Sequence, residues 1–403
     1  MQAYLQRSVK FYWDSFQGFS KEVWWLALAT LVNRAGAMVL PFLTLYLTAS
    51  LNFSMPQVGW IMSSYGLGSL VGAWLGGEFT HRIGAYKTMI ISMLGAGIAF
   101  VSLGYLNSYL GISIGIFIAA LVSDIFRPAV FVSLAAYARP ENRTRAVTLI
   151  RLAINLGFSI GPAFGGLIIV LSGYNSLFWI DGITSAMAGL LILVGLPEKL
   201  ATGNKIDNSS VHGHRRILSD STYLWFLLAT FLFSMLFVQY FSAMPVYYKT
   251  EHLLSEDNVG WILSLNGFLI FLTEMPIIFG LDKPEYSKFK IIVLGSILLA
   301  ASYGVLLLTS WSGVLVIGMI MATLAEMLCF PFTNTIALSR GGSGNEGRYM
   351  AYYSMTFSLA HIVGHNFGMQ ISNALGFNNL FVIMMLLATL AAGVFWWVST
   401  RMK

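Results

Sequence analysis

Twelve stretches of this chain are each about as long as an α-helix must be to cross a bilayer, ~20 mostly apolar residues. They fall near residues 23–49, 57–78, 87–107, 110–137, 146–171, 175–196, 222–248, 258–281, 289–309, 311–338, 348–374 and 378–399. No other feature restricts the fold as much. Hydrocarbon offers no water to backbone amides and carbonyls, so each stretch must satisfy its own groups as a helix. Charge is too scarce for a water-facing surface: 10% of residues are charged and 57% hydrophobic, against roughly 25% charged in soluble domains.

Connections near 108–110, 171–175, 309–312 and 374–378 are very short, which makes the spans they join antiparallel neighbours. The longest polar linker, 197–220, falls between the sixth and seventh spans. The expected fold is therefore an all-α membrane protein with 12 transmembrane helices in two pseudo-symmetric six-helix bundles. Residues 1–22 form an N-terminal cytoplasmic or interfacial segment, 23–196 the first bundle, 197–220 a cytoplasmic linker, 221–399 the second bundle and 400–403 a tail. Within 1–19, Leu5, Val9, Tyr12, Phe16 and Phe19 recur at helical spacing, which predicts an amphipathic surface helix.

Basic residues mark the sidedness. Lys and Arg gather in cytoplasmic loops, and here Arg82, Lys87, Arg139, Arg143, Arg145, Lys283, Lys288, Lys290, Arg340 and Arg348 follow even-numbered spans. Arg7, Lys10 and Lys21 precede the first span, the linker carries four more, and Lys249 stands alone in the opposite loops. Both termini are thus expected in the cytoplasm, with the chain multi-pass in a cell inner membrane. The net charge of +6 is spread over these loops, so no nucleic-acid partner is expected. Cys329 is the single cysteine, which excludes disulfides and thiolate metal sites. No nucleophile elbow, phosphate-binding glycine loop or zinc-protease motif is present, so no enzyme activity, cofactor or metal is expected.

The halves repeat. Val-Gly-Trp-Ile occurs at 58–61 and at 259–262, each time opening an even-numbered span. Pro41 near the end of the first span has Pro245 as its counterpart in the seventh. Aligning Arg145 with Arg348 brings Gly161 onto Gly364 and Gly165 onto Gly368. Parallel six-helix repeats around a midplane site are the physical signature of a secondary transporter.

With these features the chain resembles the major facilitator superfamily over its whole length. Residues 77–84, Gly-Glu-Phe-Thr-His-Arg-Ile-Gly, resemble the family's G-x-x-x-D-R-x-G loop, with His81 where an acid is usual. That resemblance implies a conformational gate at Glu78, His81, Arg82 and Gly84, with Glu78 standing in for the missing acid. Residues 157–165, with Gly157, Gly161, Pro162 and Gly165, are similar to the fifth-helix motif of proton-linked drug antiporters. Arg127 resembles the family's intramembrane arginine.

Charged groups in mid-membrane should face a cavity or a partner, since each costs at least ~2.5 kcal/mol on insertion scales. The first half supplies Arg34, Asp124, Arg127 and Arg151, and the second Glu274 and Glu326. Together they are the candidate proton-coupling network, with Glu326 first in rank. Asp124 and Arg127, three apart on one helix, are expected to be able to pair, and Asp181 is expected nearer the outer surface. Asn33, Asn155, Gln239, Tyr240, Asn266, Asn334 and His361 are candidate cavity-lining residues. The glycines at 157–165, and a second stripe at Gly68, Gly72 and Gly76, are expected to pack against the other half. The expected function is proton-coupled export of amphiphilic or drug-like small molecules by a monomer in the lipid bilayer. The alternatives are proton-coupled uptake of a zwitterion such as a small peptide, or lipid flipping; sodium could replace the proton.

Overall fold

The computed structural model describes residues 18–139, 143–198, 217, 219–281, 283, 285–308, 311–340 and 346–402. The expected surface helix and most of the 197–220 linker lie outside these residues. The first span is broken into Lys21–Gly36 and Val39–Leu45, the latter running on through a π-helical turn, Tyr46–Ser50. Spans two to six are Met55–Ile83, Ala85–Leu103, Tyr109–Asp124 with Phe126–Tyr137, Arg143–Ser172 and Asn175–Gly195. The seventh span repeats the interruption of the first: Ser221–Phe237, a tighter turn Val238–Phe241, then Ala243–Thr250. Spans eight to twelve are Glu256–Leu281, Lys288–Leu306, Gly313–Arg340, Glu346–Leu375 and Phe377–Arg401. The face carrying Lys21 and Arg401 is called the near side, and the opposite face the far side.

Local chemistry explains the element ends. Ser20 and Asp220 each cap an opening helix, accepting from the backbone N–H of Val23 and Tyr223. Ser54 and Gln57 form a reciprocal capping box at the start of the second span. The short far-side connections turn on Gly173 and Gly376, whose φ values of 79° and 81° suit a residue without Cβ.

Ten helices among the described residues are long and apolar enough to cross a membrane. Spans two and eleven are long but more polar, and they pack against each other.

The glycine stripes pack otherwise than expected. A Cβ on Gly157, Gly161 or Gly165 would meet Arg34, Ala35, Met38 or Phe42, all in the first span of the same half. A Cβ on Gly68, Gly72 or Gly76 would collide with the backbone carbonyls of Phe117, Leu121 and Ile125 in the fourth. Both stripes therefore close helix pairs inside one bundle, where small residues let backbones approach. Gly364 and Gly368 repeat the pattern, meeting Met235 and Gln239 of the seventh span. The three glycines thus face the first span, while Pro162 and Gly166 on the same helix meet span eight of the other half.

Candidate functional site

Two long seams join the halves, one between spans two and eleven and one between spans five and eight, with a shorter contact between Val39–Leu45 of the first span and Ala243–Thr250 of the seventh. The repeat makes them alike. Gly59 lies against Asn366 and Met369 of span eleven, and Gly260 against Pro162 of span five and Phe42 of the first span. One turn on, Ser63 Oγ donates to the Ile362 carbonyl at 2.6 Å, and Ser264 Oγ donates to the Ser159 carbonyl at 2.5 Å. Gly66 then meets the His361–Ile362 backbone, and Gly267 meets Ser159 N and the Asn155 carbonyl. The pattern is Gly, Ser four later, Gly three after that, offset by 201 between halves (59 to 260, 63 to 264, 66 to 267). Sequence reasoning stopped at Val-Gly-Trp-Ile. Reading the repeat five residues further would have found both serines and the second glycines.

Charge separates the seams. Arg151 Nη2 donates to Glu274 Oε1 at 2.5 Å across the five–eight seam, with side-chain exposures of 45% and 11%. Arg151 thus engages a carboxylate of the other half instead of simply snorkelling to the interface. At matching places in the other seam stand Ala73 and Ser354, both neutral. Instead, that seam carries His361, in ring contact with Tyr65 at 6.5 Å and 3.2 Å from His365.

The two acids of spans four and ten are also counterparts, 202 apart (124 to 326). Asp124 accepts from Ser69 of span two, and Glu326 accepts from Asn266 Nδ2 of span eight at 2.8 Å. Asn266 also donates to Thr323 Oγ1 at 3.1 Å. The expected Asp124–Arg127 pair does not form. Asp124 turns to Ser69 of span two instead, and Arg127 is exposed.

Other candidates fall into place as follows. Asn33 Nδ2 donates to Ser185 Oγ at 3.2 Å, and Gln239 Nε2 donates to the Gly364 carbonyl at 2.6 Å. Both serve packing inside their own half. Tyr240 is buried with its ring against Tyr303, and Asn334 is exposed. Arg82 Nε pairs with Glu78 at 2.5 Å along one helix, beside exposed His81 and the turn at Gly84. Asp181 is 2% exposed, buried against the break in the first span, where its Oδ2 accepts from Val39 N at 3.2 Å. It lies in the far-side half of span six, which runs Asn175–Gly195.

Each face has its own clasp. On the far side Tyr174 Oη donates to Glu256 Oε1 at 3.0 Å, and Lys249 Nζ reaches the same oxygen at 2.8 Å, tying the fifth–sixth connection to the second half. On the near side Arg340 holds Asp220 through two bonds of 2.9 and 3.1 Å. Partial burial alone would raise the Asp220 pKa, but the Arg340 bonds outweigh it and hold the carboxyl below its usual range.

The comparisons with known proteins agree with this geometry. The family model described as Major Facilitator Superfamily matches residues 26–365. A Na(+), Li(+), K(+)/H(+) antiporter of Planococcus maritimus is 22% identical over 91% of this chain and 92% of its own. The multidrug resistance protein MdtH of Aeromonas hydrophila is 23% identical, over 85% of each chain. Among solved structures, a POT family transporter in complex with 5-aminolevulinic acid superposes with a TM-score of 0.80 at 14% identity, covering 96% of this chain and 98% of that one. A D-xylose-proton symporter reaches 0.78 at 17% identity, covering 93% and 97%. Twelve helices in two repeated bundles, the paired seams and a match over most of the length lead to one conclusion: the chain is a transporter, not an enzyme, and belongs to the Major Facilitator Superfamily.

Proposed function

We propose that this chain is a proton-coupled exporter of amphiphilic or drug-like compounds, working by alternating access in an inner membrane with both termini cytoplasmic. The observation that carries the reading is the Arg151–Glu274 ion pair across the five–eight seam. Glu326 lies within electrostatic reach of both partners. Three groups then share two negative charges and one positive charge. Protonation of either glutamate weakens the hold on Arg151 and loosens the seam. A cationic substrate draws on the same carboxylates, so proton and substrate compete, which is the logic of antiport. In the conformer described both seams are in contact, through Ser63 and Ser264 and, on the five–eight side, Arg151 and Glu274. The multidrug relative supports the drug-like substrate class.

The test uses right-side-out membrane vesicles loaded with ethidium under an inward proton gradient. The gradient is expected to drive ethidium out, and a protonophore to stop it. Glu326→Gln should bind the dye yet lose gradient-driven flux. Efflux indifferent to the protonophore would contradict proton coupling, and full flux in Glu326→Gln would contradict the role of that residue. Accumulation of a labelled dipeptide would favour uptake instead.

A second reading has its own support. Asn266, Thr323, Glu326 and Glu274 gather oxygen donors that suit an alkali cation, and one relative is named for exchanging such cations with protons. Sodium- or lithium-induced alkalinisation of acid-loaded vesicles would identify that activity.

A further inference from the structure

The first half holds a cavity of about 50 Å³, whose lining includes Asn33, Arg34, Tyr65, Phe100, Ser123 and Asp181. That volume holds a few waters. Two of its residues bracket the break in the first span. Arg34 lies on the near edge, its Nε buried and without a hydrogen-bond partner. Asp181, 2% exposed, bonds the backbone N–H of Val39 on the other edge, within electrostatic reach of Arg34. Neither group takes part in the Arg151–Glu274–Glu326 cluster.

We propose that Asp181 is a second proton-binding site, which switches this cavity between net neutral, with Arg34 balanced, and net positive. A proton from cavity water forms the O–H bond on the Asp181 oxygen that does not bond Val39. It returns to water on release, and no electrons move. The carbonyl oxygen of a neutral carboxyl still accepts from Val39 N, so the helix break survives in both states. Protonation leaves the half-buried Arg34 without this counter-charge, and such a charge seeks water or an anionic group. The groups around Asp181 are Arg34 from the first span and Tyr65 from the second, with Asp124 and Arg127 of the fourth beyond Tyr65. The third and fifth spans present Phe100 and Gly157, which do not titrate. The matching break in the seventh span is held by the Gln239 amide and the Ser242 hydroxyl, both neutral at any working pH. Among the described residues, the carboxyl at the first-span break has no counterpart in these bonds of the seventh. The consequence for coupling, an additional proton per cycle, rests on the transporter reading; the titration itself does not.

The experiment is infrared difference spectroscopy of purified full-length protein between about pH 5 and about pH 9, where ordinary and raised carboxyl groups separate. No substrate is needed. Wild type is expected to gain a protonated-carboxyl band on acidification that is missing in Asp181→Asn and retained in Glu326→Gln. Asparagine caps as well as aspartate, so Asp181→Asn should fold. Arg34→Gln, which keeps Asp181 but removes its counter-charge, should move the midpoint of that band to at least about tenfold lower proton concentration. A spectrum of Asp181→Asn that superposes on wild type overturns the proposal. So does an unmoved midpoint in Arg34→Gln, which also decides the matter if Asp181→Asn does not fold. Loss of ethidium flux in Glu326→Gln with the Asp181 band intact separates this site from the coupling acid.

Discussion

The two seams differ in one respect that their shared geometry makes plain. Both use a glycine, a serine and a second glycine at the same spacing, and both serines donate to a backbone carbonyl of the other half. Trp60 and Trp261, next to the first glycines, are 58% and 63% exposed and point out of both seams alike. Below this common stretch the five–eight seam ends in an ion pair, while the two–eleven seam has Ala73 and Ser354 at the corresponding places. Duplication therefore preserved what lets the halves touch, and charge was placed on one side only. Contact is symmetric; control is not.

The largest effect should come from breaking contact on either seam. Gly267→Val and Gly66→Val each force side-chain atoms against the backbone of the opposite half, where a Cβ would already lie 2.7 and 2.8 Å from Ser159 N and Ile362 N, an overpacking cost of ~1–3 kcal/mol. Each is expected to depopulate this conformer about tenfold or more, read as a longer far-side distance between spin labels. If one substitution is silent, the seams are not equivalent.

Breaking control should matter on one side only. Arg151→Gln is expected to lower the population of this conformer several-fold, less than the glycine variants because the arginine is half exposed. The charge-swapped double variant Arg151→Glu with Glu274→Arg should restore it. Ser354→Gln at the neutral counterpart should change the same distance distribution little.

Removing one serine is smaller still. Ser264→Ala and Ser63→Ala each lose one seam hydrogen bond worth ~1 kcal/mol. Equal shifts in the spin-label distribution would sharpen the symmetry of contact, and unequal shifts would show that the nearby ion pair compensates.

The smallest effect concerns the near-side clasp of the second half. Asp220→Asn should lower the unfolding temperature of purified protein slightly, for a loss of ~1 kcal/mol or less. The Asp220 carboxyl is held below its ordinary range, so its contribution is present above the unfolded aspartate value of ~3.9 and lost as pH falls through the lower folded value. Wild type and Asp220→Asn should therefore converge in stability under strong acid. In the first half, Ser20 donates its hydroxyl to the Tyr137 carbonyl at 3.0 Å, a neutral contact, and Ser20→Ala should show no such convergence.

The twelve spans were legible because apolar length is a one-dimensional property, and the repeat because it is a matter of register. Glu274, Glu326 and Arg151 could each be picked out as ionisable groups in apolar sequence. Their partnership could not, because 123 residues separate Arg151 from Glu274 and only the packing of two halves brings them together. The glycine stripes were visible, but a stripe does not say which neighbour it faces. Gly157 turned out to lie on Arg34 of its own half. The Asp124–Arg127 pair failed because Asp124 meets Ser69 of span two instead, a partner 55 residues away that spacing along one helix does not register.

The far-side clasp of Tyr174, Glu256 and Lys249 stands at one end of the five–eight seam, and Arg151–Glu274 lies toward the other. A bilayer separates the solutions that bathe these two ends. Salt and acidity in one solution act on the glutamate that Lys249 holds, while those in the other act on the half-exposed arginine. A single helix pair is thus wired to two compartments at once, and how readily it parts depends on the contrast between them.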